Sequence, residues 1–135
     1  MAVMVLQESG EMYLETIYVL SQKSNYVRAI DVGEELNFSR PSVSRAVHIL
    51  EEGGFLTIEN GGALRLTDAG LEYAKKIYER HTILTMCFVA LGVDQEVATN
   101  DACRIEHIIS DECFAAIKQH LAEMGDKASQ PAMAQ

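Results

Sequence analysis

At 135 residues the chain can bury a core in one compact domain or two small subdomains, and it is too short for most elaborate enzymes. Its 48% hydrophobic residues form no apolar run near the roughly 18 needed for a span, and no basic-start signal segment opens it, so a cytoplasmic protein without membrane association is expected. Three cysteines without framework spacing argue for free thiols, and the net charge of -9 argues against a nucleic-acid partner overall, although Arg40, Arg45 and His48 stand in an acid-free stretch over 38–50.

The first helix is expected from about Glu8 to Ser21 or Gln22, with Tyr13, Leu14, Ile17 and Leu20 as its apolar face and residues 1–7 loosely held before it. Met12 and Glu15 fall on the opposite face. After a polar link at Lys23-Ser24-Asn25, a short helix runs from about Ala29 toward Asn37. Ser39 is the expected N-cap of a third helix with Pro41 in its first turn, where the missing N–H costs nothing. Val43, Val47 and Leu50 bury one face of that helix, and Gly53-Gly54 ends it. Leu56 and Ile58, the turn Asn60-Gly61-Gly62, then Leu64 and Leu66 predict a two-stranded hairpin.

Thr67-Asp68 opens a long helix to about Leu91, closed by Gly92. A shorter helix follows from Gln95 to Ile109, and Ser110-Asp111-Glu112 caps a last one with Phe114, Ile117 and Leu121 inward. This reading divides the chain into residues 1–74, residues 75–125 and a disordered tail over 126–135. The fold class is mainly α: a winged helix-turn-helix followed by a small all-helical domain. In that arrangement the third helix enters a major groove of double-stranded DNA. Ser39, Arg40, Pro41, Ser42, Ser44 and Arg45 are its expected contacts, Arg45 reads a base, and Arg65 reaches the backbone from the wing.

Cys103, Glu106 and His107 lie at i, i+3 and i+4, which places them on one face if the helix holds to Ile109. At about 100° per residue, Ala102, Ile105, Ile108 and Ile109 form an apolar stripe, and the three candidates centre roughly 140° from it. Thiol, carboxylate and imidazole are donors to a divalent transition metal, and three ligands leave the coordination incomplete. Met12, Glu15 and His81 are the further candidates. Neither a His-Glu-x-x-His motif nor a nucleophile with a base nor a phosphate loop occurs, so catalysis is not expected.

Glu11-Met12-Tyr13-Leu14-Glu15, Arg40-Pro41-Ser42-Val43-Ser44, Leu66-Thr67-Asp68-Ala69-Gly70, Arg80-His81 and Asp101-Ala102-Cys103-Arg104-Ile105-Glu106-His107 resemble motifs of the diphtheria toxin repressor family of metal-dependent regulators. The resemblance runs close to full length, in the short two-domain form. It implies a first metal site of Met12, Cys103, Glu106 and His107, as in the iron-responsive branch. A second site of Glu15 and His81, with Glu106 able to bridge, is implied as in the manganese branch. Further ligands of the iron branch's ancillary site fall at Thr85 and Thr99, which cannot replace a Glu or a His.

The implied protein is an iron-responsive repressor of metal uptake that binds a pseudo-palindromic operator as a homodimer. Fe(II) is the expected activator, Mn(II) the alternative, and Co(II) or Ni(II) substitutes in vitro. The rival expectations are a manganese-responsive regulator, a redox regulator sensing through Cys103, and a small metalloenzyme. Residues from about 75 onward are implied to form the dimer, and the spacing of Leu84, Phe88 and Leu91 with Ile117 and Leu121 is compatible with that.

Overall fold

The computed structural model describes residues 8–129. In chain order the elements are α1 (Glu8–Lys23), α2 (Ala29–Leu36), α3 (Arg40–Glu52), β1 (Leu56–Ile58), β2 (Leu64–Leu66), α4 (Asp68–Ala90), α5 (Gln95–Ile105) and α6 (Asp111–Ser129). Two compact units, Met1–Tyr78 and Glu79–Gln135, divide the chain within α4. The expectation of a loose start falls on residues outside the described ones. Of the expected tail, α6 carries the first residues as helix to Ser129, and the rest lies outside the described residues.

The first unit is a winged helix-turn-helix. Tyr13, Leu14 and Ile17 of α1, Val32 of α2, and Val43, Val47 and Leu50 of α3 form one buried cluster with Leu56 and Leu64 of the strands. The turn between α2 and α3 is made at Asn37, whose backbone is left-handed (φ 59°, ψ 43°) and whose N–H bonds Gly33 O. Asparagine tolerates that conformation better than most residues. Ser39 then caps α3: its Oγ accepts from Ser42 N at 3.4 Å and donates to Ser42 Oγ at 2.9 Å.

The wing pairs β1 and β2 antiparallel, with Leu56 opposite Leu66 and Ile58 opposite Leu64. Gly61 and Gly62 both adopt positive φ, as the tight return between the strands requires. The Tyr26 hydroxyl donates to Gly61 O at 2.6 Å, and Leu64 N donates to Val27 O at 2.7 Å, so the link between α1 and α2 holds the hairpin along its length. Thr67 Oγ1 accepts from Gly70 N and donates to Gly54 O. A Cβ on Gly70 would lie 1.8 Å from Phe55 O, so only glycine admits this approach of α4 to the loop after α3.

In the second unit Leu84, Ala98, Ala102 and Phe114 are buried. Of the residues whose spacing was compatible with a dimer, Leu84 is buried within its own chain and Leu91 is exposed. Exposed apolar side chains near the end of α4 and in α5 are Met86, Val89, Leu91 and Val97. The expected continuation of α5 to Ile109 does not form: the helix ends at Ile105, and Ile108 N and Ile109 N both turn back to Ile105 O. The cause is tertiary. Arg80 Nη1 of α4 donates to Glu106 O at 3.3 Å and to Ile109 O at 2.7 Å, which holds the chain in a turn. The apolar stripe ends with the helix, and Ile108 is 74% exposed.

Candidate metal centre and DNA-reading face

Because α5 stops at Ile105, Cys103 stands in its last turn, Glu106 is its C-cap and His107 lies beyond it. The three do not share a helical face as the spacing suggested. Glu106 is instead drawn fully inside at 0% exposure, while Cys103 remains exposed.

His81 of α4 meets this turn. Its Nδ1 is 2.9 Å from Glu106 Oε2 and 3.6 Å from Cys103 Sγ. His107 Nε2 approaches the other carboxylate oxygen, Oε1, at 3.4 Å. Each oxygen of one buried carboxylate thus faces a different imidazole. Donor atoms of His81, Cys103 and Glu106 all lie within 4.8 Å of one another. The sequence grouping had placed Cys103 with His107, whereas the sulfur sits beside His81. Met12 and Glu15 are both half-buried on α1 in the first unit.

The electrostatics favour a cation at this place. The Cys103 sulfur first, and the Glu106 carboxylate second, push the His81 imidazole up from 6.5 to about 10, against partial burial, which acts the other way. In the metal-free chain a proton on Nδ1 therefore serves both acceptors. Glu106 Oε1 is buried with no hydrogen-bond partner among the described residues. An acceptor in that condition carries an unrecovered desolvation cost, which a cation would relieve. Imidazole nitrogen, thiol sulfur and carboxylate oxygen fit a divalent transition ion. The ancillary positions do not: Thr85 Oγ1 donates to His81 O at 2.7 Å and Thr99 Oγ1 to Gln95 O at 2.8 Å, so both hydroxyls are turned into their own helices.

Arg80 escaped the sequence reading except as part of a motif. The signal was there: Ala74, Ile77 and Leu84 are buried on one face of α4, and Arg80 falls on that face three residues after Ile77 and four before Leu84. A charged residue on an apolar stripe implies buried partners.

On the first unit, Arg40, Pro41, Ser42, Ser44 and Arg45 are exposed along the start of α3. Ser39 is also exposed but committed to the cap. Arg65, on β2, is exposed and its Nε donates to Glu59 Oε1 at 3.1 Å.

Two family models match: an iron dependent repressor N-terminal DNA binding domain over residues 5–64, and an iron dependent repressor metal binding and dimerisation domain over residues 67–127. An uncharacterised HTH-type transcriptional regulator of Methanocaldococcus jannaschii is 31% identical over 124 residues, covering 90% of this chain and 99% of that protein. The HTH-type transcriptional regulator MntR of Lysinibacillus sphaericus is 35% identical over 102 residues, covering 76% of this chain and 73% of the relative. Among solved structures, a manganese-dependent transcriptional repressor in complex with manganese superposes with a TM-score of 0.77 at 27% identity, over 84% of this chain. The chain spans only about half of that structure's length, 52%. No helix among the described residues is long and apolar enough to cross a membrane. With a winged DNA-binding unit, a cluster of potential metal donors in the second unit and these relatives, the chain belongs to the diphtheria toxin repressor family of metal-dependent transcriptional repressors.

Proposed function

We propose that this chain is an iron-responsive repressor, which binds a pseudo-palindromic operator as a homodimer when Fe(II) occupies the cluster around Glu106. The observation that carries this reading is the buried Glu106 carboxylate, with His81 and Cys103 gathered at one oxygen and His107 at the other. Glu106 Oε1 and His81 Nδ1 would hold a divalent cation, which would supply positive charge at an oxygen with no hydrogen-bond partner among the described residues, in exchange for the Nδ1 proton. His81, Cys103 and Glu106 would hold one ion, and Glu106 with His107 would offer donors to a second. Met12 and Glu15 are ligand candidates from their position opposite the apolar face of α1 and from the family resemblance.

Arg45 reads a base edge, while Arg40, Ser42, Ser44 and Arg65 contact phosphates. The exposed Met86, Val89, Leu91 and Val97 supply apolar surface for pairing of two chains. Manganese is the second reading, favoured by the manganese-bound relative and by the oxygen and nitrogen donors of Glu106 and His107. Anaerobic titration of binding to the promoter of the chain's own gene, with Fe(II) and Mn(II) in parallel and a chelator control, tests both. Equal binding of metal-free and metal-loaded protein would overturn the function itself.

A further inference from the structure

We propose that Arg80 is the positioning residue of this metal centre: it fixes the backbone of Glu106 while His81, the next residue on α4, holds the Glu106 side chain. The inference rests on the metal-binding reading above. Two consecutive residues of one helix grip the same glutamate at its two ends. Arg80 Nη1 takes Glu106 O at 3.3 Å and Ile109 O at 2.7 Å, and Arg80 Nη2 pairs with Asp111 Oδ1.

These partners come from the end of α5, the turn after it and the start of α6. The guanidinium also stacks on Phe114, 5.5 Å from the ring centroid, and its side chain is only 8% exposed. Its Nε is buried without a hydrogen-bond partner among the described residues. The fork is thus aimed at the α5–α6 turn at the expense of one of its own donors. A carboxylate that must present two oxygens to two imidazoles has little freedom in its Cα position, and Arg80 removes that freedom. A planar fork is needed for this, because one ammonium cannot reach two carbonyls and a carboxylate in fixed directions.

The test uses the full chain, reduced and anaerobic, with Co(II) as the probe. Arg80→Lys keeps the charge and loses the fork. The Co(II) dissociation constant is expected to rise by about 10- to 100-fold, the scale seen when groups that orient metal ligands are removed. At saturation the sulfur-to-cobalt charge-transfer absorption from Cys103 persists, while the ligand-field bands shift because the Glu106 carboxylate is reoriented. In the metal-free variant, amide exchange over residues 106–109 accelerates. General destabilisation would weaken binding and leave the spectrum at saturation unchanged.

Asp111→Asn alters an exposed partner and leaves both carbonyl bonds, so it folds, and it is expected to weaken Co(II) by a smaller factor with the same direction of band shift. Wild-type affinity and wild-type ligand-field bands in Arg80→Lys overturn the proposal. If Arg80→Lys does not fold, the same result in Asp111→Asn overturns it. Should the unaltered chain bind no Co(II), or Cys103→Ser retain the charge-transfer absorption, the metal centre itself falls instead.

Discussion

A single carboxylate sets the chemistry of the second unit. Glu106 is fully buried, and on the proposed reading the proton it shares with His81 Nδ1 is the one a metal would displace. Alanine at Cys103, Glu106 or His107 is therefore expected to abolish metal-dependent DNA binding while the metal-free chain stays folded by circular dichroism. His48 and His120 lie elsewhere on exposed surface, and alanine there is expected to leave metal affinity unchanged. The pH response follows from His81. Its pKa of about 10 in the folded chain exceeds 6.5, so its pairing stabilises the metal-free fold fully below pH 6.5, and that contribution is lost as pH rises through about 10. Metal binding runs the opposite way. Displacing this proton makes apparent affinity rise by up to about tenfold per pH unit between 7 and 9. Calorimetry in buffers of different ionisation heat should show proton release at pH 7.5, and binding that is flat with pH would contradict the His81 assignment.

At the scale of the elements, local signals were legible in sequence wherever they were self-contained. The Ser39 cap with Pro41, the Val43, Val47 and Leu50 stripe and the Asn60-Gly61-Gly62 return all depend on neighbours in the chain, and each forms as read. The end of α5 was not legible, because the turn that follows it is held from another helix, by Arg80, which donates to the carbonyls of Glu106 and Ile109. The neighbour of the Cys103 sulfur was not legible either: it is His81 Nδ1, at 3.6 Å. Ligand types are set by composition and spacing, but which donor faces which depends on where the helix stops. For α3 the local reading carries through to a test. Arg45 is exposed on that helix and is not among the clustered donor residues. Arg45→Ala is expected to weaken specific operator binding by about 1 to 3 kcal/mol, the worth of a bidentate base contact, with Co(II) affinity unchanged. Loss of metal binding in that variant would show that α3 is not purely a reader.

For the whole molecule the charge distribution makes metal dependence physically reasonable. The stretch 94–126 holds eight acids, while α3 carries Arg40 and Arg45 with acids only at its end, Glu51 and Glu52. Cations bound among the acids reduce an overall field that opposes approach to phosphates. Moving a DNA-competent form from 1:99 to 99:1 requires about 5.5 kcal/mol of differential metal affinity. Structural zinc sites reach about 10 to 16 kcal/mol, so the requirement is well within range. On the proposed reading the ion is selected by donor softness. The Cys103 sulfur beside His81 Nδ1 gains more from Fe(II) and later ions than from Mn(II), which prefers oxygen. Fe(II) is therefore expected to activate operator binding at lower free concentration than Mn(II), with Co(II) and Ni(II) also effective in vitro. Cys103→Asp replaces the soft donor by a carboxylate and is expected to shift the response toward Mn(II), read as the ratio of the two half-activating concentrations. Met12→Asp makes the same exchange at the other sulfur donor and should move the ratio in the same direction. If the unaltered chain responds better to Mn(II), or if neither substitution changes the ratio, then sulfur is not the selector and the ion is chosen by the oxygen and nitrogen donors that remain.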